Sequence, residues 1–318
     1  MNGTTLATTS CTDKTTLIVV VGATATGKTS IAIRLALRFR GEVISADSRY
    51  LYRGLEIGTA TPSQSEMAGV PHHLINILDP DEDYTLAHYQ RDAMTAIADV
   101  AHRGYLPILA GGTPLYLNAL LEGWRIPEVP PDHVFRSEME ARTATEGAEA
   151  LHEQLAEVDP VAAARIPPGN VRRVIRALEI HRQTGRRMSE IEGKEPPPWR
   201  TLLIGLTLPR DELYRRIDER IDQQIADGLI EEVRELLRRG VSAEAPAMSA
   251  IGYPQIVAYL DGRMTLDEAV ARIKFDTHRY VRHQSTWLKR MTSVHWFDPR
   301  EPDSFDRIAR LSSEFLAT

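Results

Sequence analysis

Leu17-Ile18-Val19-Val20-Val21 runs directly into Gly22-Ala23-Thr24-Ala25-Thr26-Gly27-Lys28-Thr29, after which Ile31, Leu35 and Leu37 recur at helical spacing. A β-branched run, a glycine-bearing turn and an amphipathic segment read as strand, loop and helix. The octet fits the pattern G-x-x-x-x-G-K-[ST] in the setting that the pattern requires, after a strand and before a helix. Glycines let the chain wrap an anion so that consecutive backbone N–H groups point inward, and the helix adds its positive N-terminal end. Gly22, Thr24, Ala25, Thr26, Gly27, Lys28 and Thr29 are therefore the candidate diphosphate cradle. Lys28 supplies a point charge and the Thr29 hydroxyl a ligand for a magnesium ion bridging phosphate oxygens.

The same punctuation recurs downstream. Glu42-Val43-Ile44-Ser45-Ala46-Asp47 is a strand candidate ending on an acid, and Leu106-Pro107-Ile108-Leu109-Ala110 is another that ends in Gly111-Gly112. Strands alternating with helical stretches specify an α/β protein, a P-loop NTPase-like parallel sheet flanked by helices. Beyond Gly123 the texture changes: Pro127, Pro130 and Pro131 mark a boundary, and residues 133–160 turn acidic with helical patterning. After Pro196-Pro197-Pro198 the run Thr201-Leu202-Leu203-Ile204-Gly205-Leu206-Thr207-Leu208 returns to the sheet. The expected organisation is a flexible tail over 1–14, a catalytic core over 15–125 and 200–318 with a helical C-terminal part, and a mainly helical insert over 126–199. Val294-His295-Trp296-Phe297 is a last strand candidate before a polar C-terminal helix.

Composition narrows the class. Of 318 residues, 42% are hydrophobic and 26% charged, ordinary globular values that leave no room for a fibrous or largely disordered chain. No apolar run reaches the roughly 18 residues of a membrane span, and the N-terminal stretch lacks an apolar signal core. The lone cysteine, Cys11, excludes an internal disulfide and a cysteine-based zinc site, which suits a cytoplasmic protein. His72 and His73 are adjacent, so their side chains diverge, and a loop or channel wall suits them better than a metal site.

A net charge of −6 argues globally against a nucleic-acid partner. Locally the balance reverses: Arg165, Arg172, Arg173, Arg176, Arg182, Arg186 and Arg187 face one acid, Glu179. Arg172 and Arg176 stand four apart on a predicted helix with Arg173 beside them, a basic ridge that is either a solvated face or an RNA contact. A second cluster runs through His278-Arg279-Tyr280-Val281-Arg282-His283-Gln284 with Trp287, Lys289 and Arg290. It interleaves rings with positive charge as unstacked RNA requires, or else buries Tyr280 and Trp287 in a core; Gln284 is its best candidate for a base contact.

A phosphate loop alone does not name a reaction. The Asn-Lys-x-Asp base-reading motif of GTPases is absent, as is an arginine-rich kinase lid. Asp47 at a strand end faces the ligand crevice of a parallel sheet, as a general base, a magnesium ligand or a helix cap. At this point the chain resembles the tRNA dimethylallyltransferases from about residue 17 to residue 298. Ile44-Ser45-Ala46-Asp47-Ser48, Tyr52-Arg53-Gly54, Ile57-Gly58-Thr59-Ala60, Gly69-Val70-Pro71-His72-His73-Leu74 and Leu106 to Thr113 with Leu115-Tyr116 carry the resemblance. Arg176-Ala177-Leu178-Glu179, Ile251-Gly252-Tyr253 and Gln284-Ser285-Thr286-Trp287 extend it.

The resemblance implies that the loop holds dimethylallyl diphosphate and that the acceptor is the adenosine just 3′ of the tRNA anticodon. It makes Asp47 the base, with Thr113 its neighbour at the substrate. With the readings above, the expected tRNA contacts are Asp47, Ser48, Arg49, Tyr50, Thr113, Arg136, Arg172, Arg173, Arg176 and Gln284, the expected cofactor is magnesium and the expected unit a monomer. Tyr50 and Arg172 stand where the family commonly has Gln. Three other readings remain: a P-loop small-molecule kinase, an isopentenyltransferase acting on free adenine nucleotides, and a non-catalytic ATP-dependent RNA-binding module.

Overall fold

The computed structural model describes residues 14–197 and 199–318. All but Lys14 of the tail expected over 1–14, Cys11 included, lies outside them. In chain order, β1 (Thr16–Gly22), α1 (Lys28–Phe39) and β2 (Gly41–Ala46) open the fold, followed by α2 (Glu56–Thr59), α3 (Gln64–Met67) and β3 (His72–His73). Next come α4 (Leu86–His102), β4 (Leu106–Gly111), α5 (Pro114–Leu121) and β5 (Trp124–Arg125). Then follow α6 (His133–Glu146), α7 (Ala148–Val158), α8 (Pro160–Ala163), α9 (Val171–Thr184), α10 (Met188–Ile191) and β6 (Gly193–Lys194). The chain closes with β7 (Arg200–Leu206), α11 (Arg210–Ala226), α12 (Leu229–Arg238), α13 (Tyr253–Leu260), α14 (Leu266–Leu288), β8 (Val294–Phe297) and α15 (Ser304–Ala317).

Two compact units result. Of the described residues, the first comprises 14–84, 91–117 and 199–318, and the second 85–90 and 118–197. The sequence places the insert at 126–199; the main segment of the second unit begins at 118, inside α5, and residues 85–90 join it.

The first unit is built on a six-stranded sheet of order β3-β2-β4-β1-β7-β8, parallel throughout. Leu17 through Val21 have no solvent exposure, because a parallel strand covered on both faces by helices needs apolar side chains in both directions. Each such fully buried aliphatic side chain contributes about 1.5–3 kcal/mol. α1 lays Ile31, Ala32, Ile33, Leu35 and Ala36 against Ile18, Val20, Val43 and Ile108. Leu37, counted in the helical pattern from sequence, falls on the outer face of α1 and is exposed. α15 is amphipathic rather than polar: Phe305, Ile308, Leu311 and Phe315 pack into the same core, and Arg34 of α1 sits 3.5 Å from the centre of the Phe305 ring.

The edge strand β3 was not legible as a strand, since two histidines carry no periodicity. It pairs in parallel with Val43 and Ile44. Glu42, almost fully buried, accepts from His73 Nε2 at 2.7 Å and from Arg103 Nη1 and Nη2 at 2.5 and 2.6 Å. The Arg103 hydrogen bonds hold its carboxyl down at about 2. His72 Nδ1 instead bonds the Val70 carbonyl, so the two histidines serve different partners. Among the described residues no group of three or more His, Cys, Asp or Glu could hold a metal ion, and no helix is long and apolar enough to cross a membrane.

The second unit has its own core of Phe135, Met139, Leu151, Leu155, Ile166, Val174, Ile175 and Leu178. The Asp132 side chain caps α6 by accepting from Phe135 N. At its base β5 and β6 pair antiparallel, Trp124 with Lys194 and Arg125 with Gly193.

Candidate active site

The phosphate loop lies between β1 and α1. Gly27 has φ of 89°, a left-handed conformation that glycine adopts without penalty, and it places the first helical N–H groups at the loop. Ala25 holds φ of 66° without that freedom, a strain of about 1–2 kcal/mol located in the loop itself. The Ala23 carbonyl organises the turn: it accepts from the buried Thr26 hydroxyl at 2.8 Å and from Lys28 Nζ at 2.9 Å.

Burial disfavours the charged ammonium of Lys28, Asp47 opposes that effect, and Arg220 adds to it; the outcome is a pKa lowered from 10.5 to about 8. An anion bound in the loop restores the charge, so binding takes up a proton once the pH exceeds the free value. The Lys28 contribution to the affinity for inorganic diphosphate, over and above the ligand's own ionisation, should therefore be nearly constant below pH 8 and fall by up to about tenfold per pH unit above it. Titration calorimetry across pH 7–9.5 in buffers of different ionisation enthalpy checks both the slope and the proton uptake.

Asp47 follows β2 directly, and its backbone N–H bonds Ser45 Oγ at 3.2 Å. Its Oδ1 accepts from Arg49 N at 2.9 Å, an Asx turn that fixes the carboxylate and leaves the lone pairs of the second oxygen for a proton. β4 ends beside it. Thr113 N donates to the Ala46 carbonyl at 3.1 Å, and Thr113 Oγ1 accepts from Ser48 N at 3.0 Å. Asp47, Ser48 and Thr113 thus converge at the carboxyl ends of two neighbouring parallel strands, with the phosphate loop at the end of the next, the place where open α/β sheets bind ligands.

Burial together with the Asp47 charge pushes the Tyr50 hydroxyl up to about 12, so it stays neutral. Arg49 Nη1 donates to Ser249 Oγ at 3.1 Å. The helical C-terminal part secures the segment that follows. Glu232 accepts from Ile57 N at 2.7 Å and Gly58 N at 2.9 Å, Gln224 donates to both their carbonyls, and the Tyr253 hydroxyl donates to Glu232 at 2.7 Å. Arg220 donates to the Thr59 carbonyl at 2.9 Å and lies near enough to Lys28 and Tyr50 to act on both electrostatically. Sequence reading missed Arg220, which sits among alternating charges on α11 that resemble an ordinary solvated face.

Several RNA-contact candidates have other partners in the structure. Gln284, expected at a base, is 3% exposed, and its carboxamide is engaged by Thr24 and Gly112. Tyr280 is exposed and Trp287 half-buried, so neither fills a core.

In the second unit Arg136 grips the buried Glu179 through two 2.8 Å bonds; Arg176 reaches it at 2.5 Å and donates to the Val129 carbonyl at 2.8 Å. Burial opposes ionisation of Glu179, but the two guanidiniums and the Asp132 N–H outweigh it and hold the carboxyl below its ordinary range. Arg176, on α9, therefore clamps the proline-rich segment that leads into α6, whereas Arg172 and Arg173 are exposed. Arg172→Ala should raise the apparent KM for RNA and reduce the salt slope of binding by about one. Arg176→Ala should chiefly destabilise the second unit, by about 3 kcal/mol. RNA titrations over a salt series, paired with urea denaturation, separate the two roles.

Comparison with known proteins gives a consistent result. The IPP transferase family model matches residues 50–291, and the isopentenyl transferase model matches residues 15–76. A tRNA dimethylallyltransferase of Thermomicrobium roseum is 63% identical over 92% of this chain and 89% of its own. The crystal structure of the full-length tRNA isopentenylpyrophosphate transferase from Bacillus halodurans superposes with a TM-score of 0.72 at 42% identity, covering 96% of this chain and 97% of that one. A eukaryotic dimethylallyltransferase, captured acting on tRNA, gives a TM-score of 0.82 at 27% identity over 95% of this chain and 80% of its own. With a phosphate loop, a strand-end aspartate and these relatives across nearly its whole length, the chain belongs to the IPP transferase family, the tRNA dimethylallyltransferases.

Proposed function

We propose that this enzyme transfers a dimethylallyl group from dimethylallyl diphosphate to the N6 amine of the adenosine immediately 3′ of the anticodon in tRNA, releasing diphosphate. The observation that carries the reading is the convergence of the phosphate loop with Asp47 and Thr113 on neighbouring strand ends, which brings a leaving-group site and a proton acceptor into one crevice. The adenine N6 lone pair is delocalised into the ring, so attack is assisted by a base that removes the proton as the C–N bond forms. Asp47 takes that proton. At the donor the allylic C–O bond breaks with negative charge growing on the diphosphate, which Lys28 and the loop N–H groups stabilise.

Among the described residues no cluster of three or more His, Cys, Asp or Glu could cage a metal, which suits magnesium, an ion that keeps much of its water and is held mainly by substrate phosphates; Thr29 is the residue that would contribute. When bound it supplies Lewis-acid stabilisation of the leaving group. Ser48, Arg49 and Tyr50 border the target nucleotide, and Arg172 and Arg173 engage the anticodon stem-loop through its phosphates. A monomer working in the cytoplasm, where its tRNA substrate resides, completes the reading.

Incubating the purified enzyme with tRNA and dimethylallyl diphosphate, then digesting to nucleosides for mass spectrometry, tests the proposal. An adenosine carrying the added dimethylallyl group, mapped beside the anticodon, is the expected product. Prenylation of free adenine nucleotides with untouched tRNA, or ATP turnover without prenylation, would overturn it.

A further inference from the structure

The carboxamide of Gln284, near the end of α14, is buried between two pieces of the site that are far from it in sequence. Its Nε2 donates to the Gly112 carbonyl at 2.7 Å. Its Oε1 accepts from Thr24 N at 3.1 Å and from the Thr24 hydroxyl at 3.3 Å. The partners fix the orientation of the amide, since its N–H must meet an acceptor, the Gly112 carbonyl, and its oxygen a donor, the Thr24 N–H. Packing is tight at the same place: a Cβ on Gly112 would come within 2.9 Å of Gln284 Nε2 and 3.0 Å of the Gly22 carbonyl. One side chain therefore joins the first half of the phosphate loop to the residue preceding Thr113.

We infer that Gln284 is a positioning residue for prenyl transfer: its carboxamide sets the spacing between the phosphate loop, which holds the donor, and the Gly112–Thr113 turn, which borders the acceptor. The inference rests on the proposed reaction. It assigns Gln284 to alignment rather than to a base of the RNA. Two reacting partners held on separate elements are sensitive to small displacements, and an error of roughly 1 Å can cost about a hundredfold in rate. The site needs one donor and one acceptor at this reach; Asn is too short, and an ionised Glu presents two acceptors, one of them to the Gly112 carbonyl.

Gln284→Glu provides the test, because a protonated glutamic acid restores the missing donor. Wild-type turnover, measured first, tests the reaction itself; the ratio of variant to wild type at each pH then isolates residue 284, because titrations common to both enzymes cancel. At pH 8 the variant should show kcat about a hundredfold below wild type with KM for tRNA unchanged. The ratio should climb as the pH falls toward 6, since burial beside a carbonyl raises the pKa of the introduced carboxyl. Gln284→Ala should lose kcat to a similar extent with no recovery at low pH. A ratio that stays flat across pH, or a Gln284→Ala enzyme with wild-type kcat and a raised KM for tRNA, would overturn the inference.

Discussion

Asp47→Asn lowers the single-turnover rate of prenyl transfer by about a hundredfold to ten-thousandfold while both substrates still bind. The expectation follows from what the substitution keeps and what it removes. Asparagine retains an oxygen for Arg49 N, so the Asx turn that sets the side chain after β2 persists. It lacks the basicity needed to accept the adenosine proton. Magnesium ligation is the competing role for Asp47, and it makes a different demand: a lost ligand raises the metal requirement, and excess magnesium partly restores the rate. Single-turnover rates across a magnesium titration distinguish the two, and recovery to near the wild-type rate at high magnesium would rule out the base assignment.

Lys28→Ala is expected to abolish measurable turnover, a loss of at least about a hundredfold to a thousandfold in kcat, and to weaken binding of dimethylallyl diphosphate. The half-buried ammonium is partly desolvated and already positioned by the Ala23 carbonyl, so it meets the leaving group with little reorganisation. The fold should survive, because α1 is held by Ile31, Leu35 and Ala36 on its apolar face rather than by its first residue. Equilibrium binding of a non-hydrolysable diphosphate analogue, with circular dichroism as the check on folding, tests the claim; wild-type affinity in the variant would refute it.

Local chemistry was legible in the sequence, and long-range chemistry was not. The loop from Gly22 to Thr29 announces itself because glycine, lysine and threonine must stand at fixed spacing, and the flanking periodicities say what precedes and follows. Asp47 could be placed beside it because strand ends on one edge of a parallel sheet share a crevice. The contacts of Gln284 could not be read, since its partners Thr24 and Gly112 lie 260 and 172 residues away. The contacts of Arg176 were hidden for a related reason. Its helical neighbours Arg172 and Arg173 suggested a ridge, whereas its distant contacts, the Pro127 and Val129 carbonyls, together with buried Glu179 one turn away, make it a clamp. β3 escaped notice because two residues are too few to show a period.

The strand order has a consequence for how the protein is made. β1 emerges early from the ribosome, yet one of its flanking partners, β7, ends at Leu206. At roughly 5–20 residues per second, the strand that carries the phosphate loop waits on the order of 10–40 seconds for the neighbour that covers its open edge. Most of the second unit, which ends at residue 197 and has its own core, is synthesised within that interval. The unpaired edge of an apolar strand is the element most prone to wrong pairing in a nascent chain. Synthesis slowed between residues 118 and 200 would lengthen that exposure, so aggregation during translation should depend on codon choice in the insert far more than on codon choice after β8.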